Sequence, residues 1–199
     1  MSRLFTFVLT VATLASAACS TKSDQPSSDS TAAVTADSAA AMPAGHDMGS
    51  MGGMAAMTGD PDRDFLRMMS DHHTGMLLMT EPAIAKGVTV KDEAQRIAKD
   101  QTAEIATMKA TLASAYSDTY EPKAMADGTK MAGEIAAASG SALDKAFYDH
   151  TIMHHQAAIK MIDDYLPKSK SADVKAMAEK MKAIQIKEIK EFEAKRAAL

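Results

Sequence analysis

The sequence has a single cysteine, no tryptophan, four tyrosines and five phenylalanines. One cysteine cannot form an intramolecular disulfide, so nothing covalent staples this fold. Scarce aromatics and the absence of alternating apolar runs argue against sheet, whereas Ala, Met, Lys and Glu favour helix. Basic residues are not in excess: 22 Lys and Arg stand against 26 Asp and Glu, for a net charge of −4. A chain so balanced has little with which to neutralise phosphates, so we expect no nucleic-acid partner. The apolar run Leu4 to Leu14 is too short to cross a bilayer as a helix. There is no P-loop, no dinucleotide fingerprint and no nucleophile–base triad. Glu-x-x-His, on which di-iron and di-manganese carboxylate bundles depend, is missing too. These absences lead us to expect a helical protein that is not an enzyme.

The N-terminus carries the marks of export. Arg3 precedes the apolar run, and Ala15-Ser16-Ala17-Ala18 offers a small-residue cleavage site, so residues 1–18 read as a signal peptide. Cys19 follows at once, as in bacterial lipoproteins whose first mature residue is an acylated cysteine. Ser16 stands where such signals usually carry Leu, which keeps plain periplasmic release as the alternative. We therefore expect the protein at the periplasmic face of the envelope, as an outer-membrane lipoprotein anchored through Cys19 or else soluble. That compartment is oxidising. Methionine suits it as a soft metal ligand, since a thioether forms no disulfide and need not lose a proton to bind.

Methionine is what the chain has in quantity: 17 residues, alongside six histidines. Residues 19–60 are rich in Ser, Thr, Ala, Asp, Gly and Pro without apolar periodicity, the composition of a disordered tether. Within it Met48, Met51, Met54 and Met57 recur every third residue, with His46 just before them. Gly/Met low complexity explains that stretch in one way, a soft-metal capture arm in another. Helical periodicity begins near Asp62 and predicts helices over 62–85, 89–115, 141–165 and 171 to the C-terminus. A short helix is expected around 129–138, and Ser141 is the expected cap of the third long helix. On the second helix Ala94, Ile97, Ala98, Ile105, Met108 and Leu112 should face inward. On the last, Val174, Met177, Met181, Ile184, Ile189 and Phe192 should do so.

Two segments share the pattern Phe-x6-His-His-x5-Met: Phe65, His72-His73, Met79 and Phe147, His154-His155, Met161. A second shared set follows each, Gln101 and Glu104 ahead of Ile105, then Gln185 and Glu188 ahead of Ile189. The unit is a helical hairpin used twice, over about 62–115 and 141–197. Two such hairpins must pack together to bury their faces, giving an antiparallel four-helix bundle over residues 61–199. At 100° per residue, His72 shares a face with Met68, Met76 and Met79, and His73 lies beside Met69. His154 shares one with His150 and Met161. Asp64, Arg67, Asp71 and Thr74 mark the opposite side of the first helix, expected to be wet.

A buried imidazole needs partners for two nitrogens, and a metal meets that need on one of them. A single buried histidine is usually a satisfied core residue, but four in duplicated pairs are harder to explain that way. His72, His73, His150, His154 and His155, with Met68, Met69, Met76, Met79 and Met161, are therefore candidate metal ligands. Imidazole and thioether together favour copper, above all Cu(I). Gln101, Glu104, Gln185 and Glu188 either form inter-helix hydrogen bonds or orient the imidazoles from outside the ligand shell.

On these residues the chain resembles the bacterial domain of unknown function 305 family. The resemblance rests on Phe65, Met69, His72, His73 and Met79 with Gln101, Glu104 and Ile105. It rests again on Phe147, His154, His155, Ala158 and Met161 with Gln185, Glu188 and Ile189. It covers residues from about 60 to 199 and implies a ferritin-like bundle in which some members bind copper through Met and His. Met76 stands where that family has Ala, Thr151 where it has Met, and His150 is an addition. The expected function is an exported protein that buffers, sequesters or relays copper. The alternatives are a helical envelope protein acting through partners and a ferritin-like di-metal redox enzyme.

Overall fold

The computed structural model describes residues 57–199. The signal-like segment, Cys19, His46, Met48, Met51 and Met54 lie outside the described residues. Met57 lies just inside and is 71% exposed. Five helices follow: α1 (Pro61–Lys86), α2 (Lys91–Tyr116), α3 (Ala126–Ala137), α4 (Gly140–Tyr165) and α5 (Ala172–Ala197). The described residues contain no strand. Asp60 caps α1 by accepting from the backbone of Asp62 and Arg63, and Pro61, which needs no partner for a missing N–H, opens the first turn. Ser171 caps α5 through Val174. The residue ahead of α4 is Ser139 and makes no side-chain cap, so the expected cap at Ser141 is corrected. α2 ends where Ser117 turns left-handed at φ 50°.

α1 and α4 form a central antiparallel pair, with α2 packed on α1 and α5 on α4. The core is split into two clusters. One joins Phe65, Leu66 and Met69 of α1 to Ala158, Met161, Ile162 and Tyr165 of α4, with Met108 and Met181 from the flanking helices. The other joins Met76, Met79 and Ala83 to Leu143, Phe147 and Tyr148, with Ile97 and Phe192. Burying each of these large side chains stabilises the fold by about 1.5–3 kcal/mol. Matched residues of the two hairpins fall in opposite clusters: Phe65 against Phe147, Met161 against Met79, Met108 against Phe192. Such an exchange is what a pseudo-two-fold axis between α1 and α4 produces. The histidine pairs occupy the turn between the clusters on both helices.

The axis also relates two buried aspartates. Asp144, near the start of α4, accepts from the backbone of Val88 and Thr89, just ahead of α2. Asp62, in the first turn of α1, accepts from Lys170 and Ser171, just ahead of α5. Each hairpin thus ties down the turn of the other.

Two expectations need revision. Asp64 and Asp71 are buried rather than wet. Asp64 accepts from the backbone and hydroxyl of Thr58, and Asp71 from the Tyr120 hydroxyl and the Lys123 backbone. Chain ahead of α1 and chain after α2 therefore cover them. Ile184 is 38% exposed, and Ala178, Gln185 and Glu188 face inward instead. The short helix foreseen within the connection is α3, a fifth packed element against α1 and α4. It seats on glycine: a Cβ at Gly128 would come within 2.7 Å of the Gly75 Cα.

Candidate metal centre

His72 of α1 and His154 of α4 meet across the pseudo-axis with ring centroids 3.6 Å apart and planes inclined by 38°. Both rings are buried. Burial, and then the charge of neighbouring histidines, pushes both imidazoles well below the ordinary histidine range. They are held neutral, the form in which imidazole has a lone pair to give. The Gly75–Gly128 contact lies directly beside them, since a Cβ at Gly75 would approach the His154 Nε2 to 3.4 Å.

The second histidine of each pair turns to its own hairpin. His73 Nε2 lies 2.8 Å from Glu104 Oε2, and His155 Nε2 lies 3.0 Å from Glu188 Oε2. A carboxylate only accepts, so Nε2 is the donor in each, and in the neutral ring the lone pair then lies on Nδ1. The Nδ1 atoms of His72, His73 and His155 are buried without a hydrogen-bond partner. Unpaired buried polar atoms are uncommon and costly, so a set of imidazole nitrogens in this condition fits a missing electrophile.

Glu104 and Glu188 thus make inter-helix hydrogen bonds to the histidines. Gln101 and Gln185 are buried beside them, and Gln185 Oε1 has no partner. Met69, Met76 and Met79 are fully buried, Met161 nearly so, and Met68 packs half-buried against the first cluster. Met68 and Met76 each stand one helical turn from His72, and Met69 one turn from His73. His150 Nε2 lies 3.1 Å from Glu134 Oε2 of α3, and its Nδ1 too is buried without a hydrogen-bond partner. Among the described residues no group of three or more His, Cys, Asp or Glu could hold a metal ion. Imidazoles and thioethers are the donors that the layer and its flanks offer, a set that suits a soft monovalent ion.

Residue-level reading missed the cation beside this layer. Arg96 of α2 donates through Nη1 to Glu188 Oε1 at 2.7 Å and through Nε to Glu93 at 2.8 Å. Glu93 also pairs with Lys195 of α5. Burial raises the Glu188 carboxyl, but the bonds from His155 and Arg96 outweigh it and hold the group below its ordinary value. Nothing in the sequence singled Arg96 out, because the matching position in the second hairpin is Lys180. Asp62 and Asp144 were also missed, although they repeat at the same offset as the histidines and could have been found that way.

A helical bundle with a buried histidine layer between methionine-bearing cores defines the class of protein. The chain belongs to the domain of unknown function family DUF305, whose model matches residues 13–112 and again 89–196. Each match ends on a helix carrying Gln-x-x-Glu-Ile. No curated protein matches the chain. Among solved structures it is similar to a DUF305 fragment from Deinococcus radiodurans, at 22% identity and TM-score 0.61. That alignment covers 70% of this chain and 97% of that one. It is also similar to CopM in its Cu(I)-bound form, at 26% identity and TM-score 0.58, over 67% of this chain and 93% of that one. The Cu(II)-bound form of CopM matches at 25% identity and TM-score 0.58, over 69% and 96%.

Proposed function

We propose that the protein is an exported copper-binding protein that takes Cu(I) at the histidine layer and buffers, sequesters or relays it in the cell envelope, without catalysis. The observation that carries this reading is the His72–His154 pair: two neutral imidazoles in close contact, with unpartnered ring nitrogens beside them. In the apo protein such an arrangement leaves lone pairs buried without a partner, and a soft cation supplies one. The likeness to CopM in its copper-bound forms supports it. Met69, Met76, Met79 and Met161 supply thioethers within a turn or two of the histidines. The stretch with His46, Met48, Met51, Met54 and Met57 serves as a capture arm ahead of the bundle, and Cys19 as a lipid anchor at the periplasmic face.

Anaerobic Cu(I) titration against a chromophoric chelator tests the reading. The full chain should compete at micromolar protein, and the double substitution His72→Leu with His154→Leu should weaken competition at least tenfold while the bundle stays folded. Failure of the unaltered chain to compete sinks the proposal. Retained binding in a stabilised double variant would instead favour histidines and methionines that only pack, in a protein that acts through partners. The Met42–Met57 peptide measured alone separates the arm from the bundle.

A further inference from the structure

The two histidine–glutamate pairs match in geometry and differ in charge. Glu188 is held from both sides, by His155 and by the Arg96 guanidinium, and its side chain is 9% exposed. Glu104 is 24% exposed, and among the described residues no Lys or Arg pairs with it. Lys180, which stands where the second hairpin would place an equivalent of Arg96, is exposed and pairs with no carboxylate among the described residues. One guanidinium thus breaks the symmetry between two histidine–glutamate pairs of matching geometry.

A carboxylate on the Nε2 hydrogen pushes electron density through the ring and strengthens Nδ1 as a donor. A guanidinium on the same carboxylate draws that density away. From this we infer that Arg96 is a positioning residue that ranks the two sides of the layer: His73 is the stronger donor, and an ion entering the layer binds first toward the first hairpin. This rests on the proposed metal reading. Arg96 does so without touching the ion, and its removal leaves each carboxylate a partner, since Glu188 keeps His155 and Glu93 keeps Lys195. The Arg96→Gln variant therefore changes the charge on the layer without orphaning a buried anion.

The test uses the full chain labelled with ¹⁵N, with Ag(I) as an oxidation-resistant probe in place of Cu(I). In the metal-free protein both His73 and His155 should show the Nε2–H tautomer, with the His73 proton further downfield. Arg96→Gln should bring the His155 proton toward that of His73, and Arg96→Lys should restore the difference. On titration, His73 Nδ1 should respond ahead of His155 Nδ1. Arg96→Gln should remove that order and tighten Ag(I) binding by about tenfold. Equal protons and equal responses in the unaltered chain, or an order that survives Arg96→Gln, would overturn the inference. No Ag(I) response at any ring would overturn the metal reading instead, and the metal-free proton comparison would still decide the ranking.

Discussion

His72 and His154 are buried imidazoles, and their protonation is tied to folding. Their pKa values lie below the ordinary 6.5 in the native state. A group with a lowered basic pKa binds fewer protons folded than unfolded. Its contribution is therefore fully present above about pH 6.5 and is lost as pH falls below that value. Each such ring adds up to about 1.4 kcal/mol per pH unit to the slope. We predict that the metal-free protein loses urea resistance between pH 7 and pH 5. The double variant with leucine at both positions should lack that part of the slope. A flat profile for the parent over this interval would show that the rings are hydrated. Residue-level pattern was enough to nominate these histidines, because duplication at helical spacing is visible in one dimension. It could not nominate Arg96, which lies on α2 and gains its meaning only from Glu188 on α5.

At the scale of elements, α3 sits differently from its four longer companions. Of its residues only Gly128 and Ile135 are buried, yet it lies against both central helices. What admits it is the absence of two side chains, at Gly75 and Gly128. A Cβ at Gly128 would meet backbone at 2.7 Å, so Gly128→Ala must push α3 off its seat. We expect a destabilisation of about 1–3 kcal/mol and faster hydrogen exchange at α3 and at the His154 ring. Gly133 is the control: nothing lies within 4 Å of a Cβ there. Gly133→Ala should stabilise by about 0.5–1 kcal/mol through helix propensity alone. Equal effects from the two substitutions would mean that the close approach does not hold the helix. Periodicity placed α3 within a few residues of its true span. It could not reveal that the helix covers the histidine layer, because a glycine contact has no hydrophobic signature.

For the molecule as a whole, the crossed aspartates make two hairpins into one unit. Asp144 receives three hydrogen bonds from Val88 and Thr89, counting the Thr89 hydroxyl. Removing the carboxylate takes away every one of these bonds to the opposite hairpin. Asp144→Ala should lower stability by about 1–3 kcal/mol with an unchanged urea slope, and Asp62→Ala should do likewise. Helix content and tyrosine fluorescence should still report one coincident transition. Two separated transitions would show that the hairpins fold independently. Their mutual capping and the shared core clusters argue for the single transition.

The sequence alone determined the helices, the duplication and the chemical types gathered near the middle of α1 and α4. These follow from a 3.6-residue period and from spacing, both properties of the chain read in order. Tertiary structure decided which groups meet. It put His72 on His154 rather than leaving His150 and His154 as the evident pair, while His150 Nε2 lies beside Glu134 of α3. It buried Asp64 and Asp71 on a helix face that looked wet, because segments outside the four long helices fold over them. And it gave one of two matched glutamates a guanidinium and left the other without one. Contacts between helices depend on how faces rotate and which side chains are small enough to allow approach, and neither is encoded in the periodicity of a single helix.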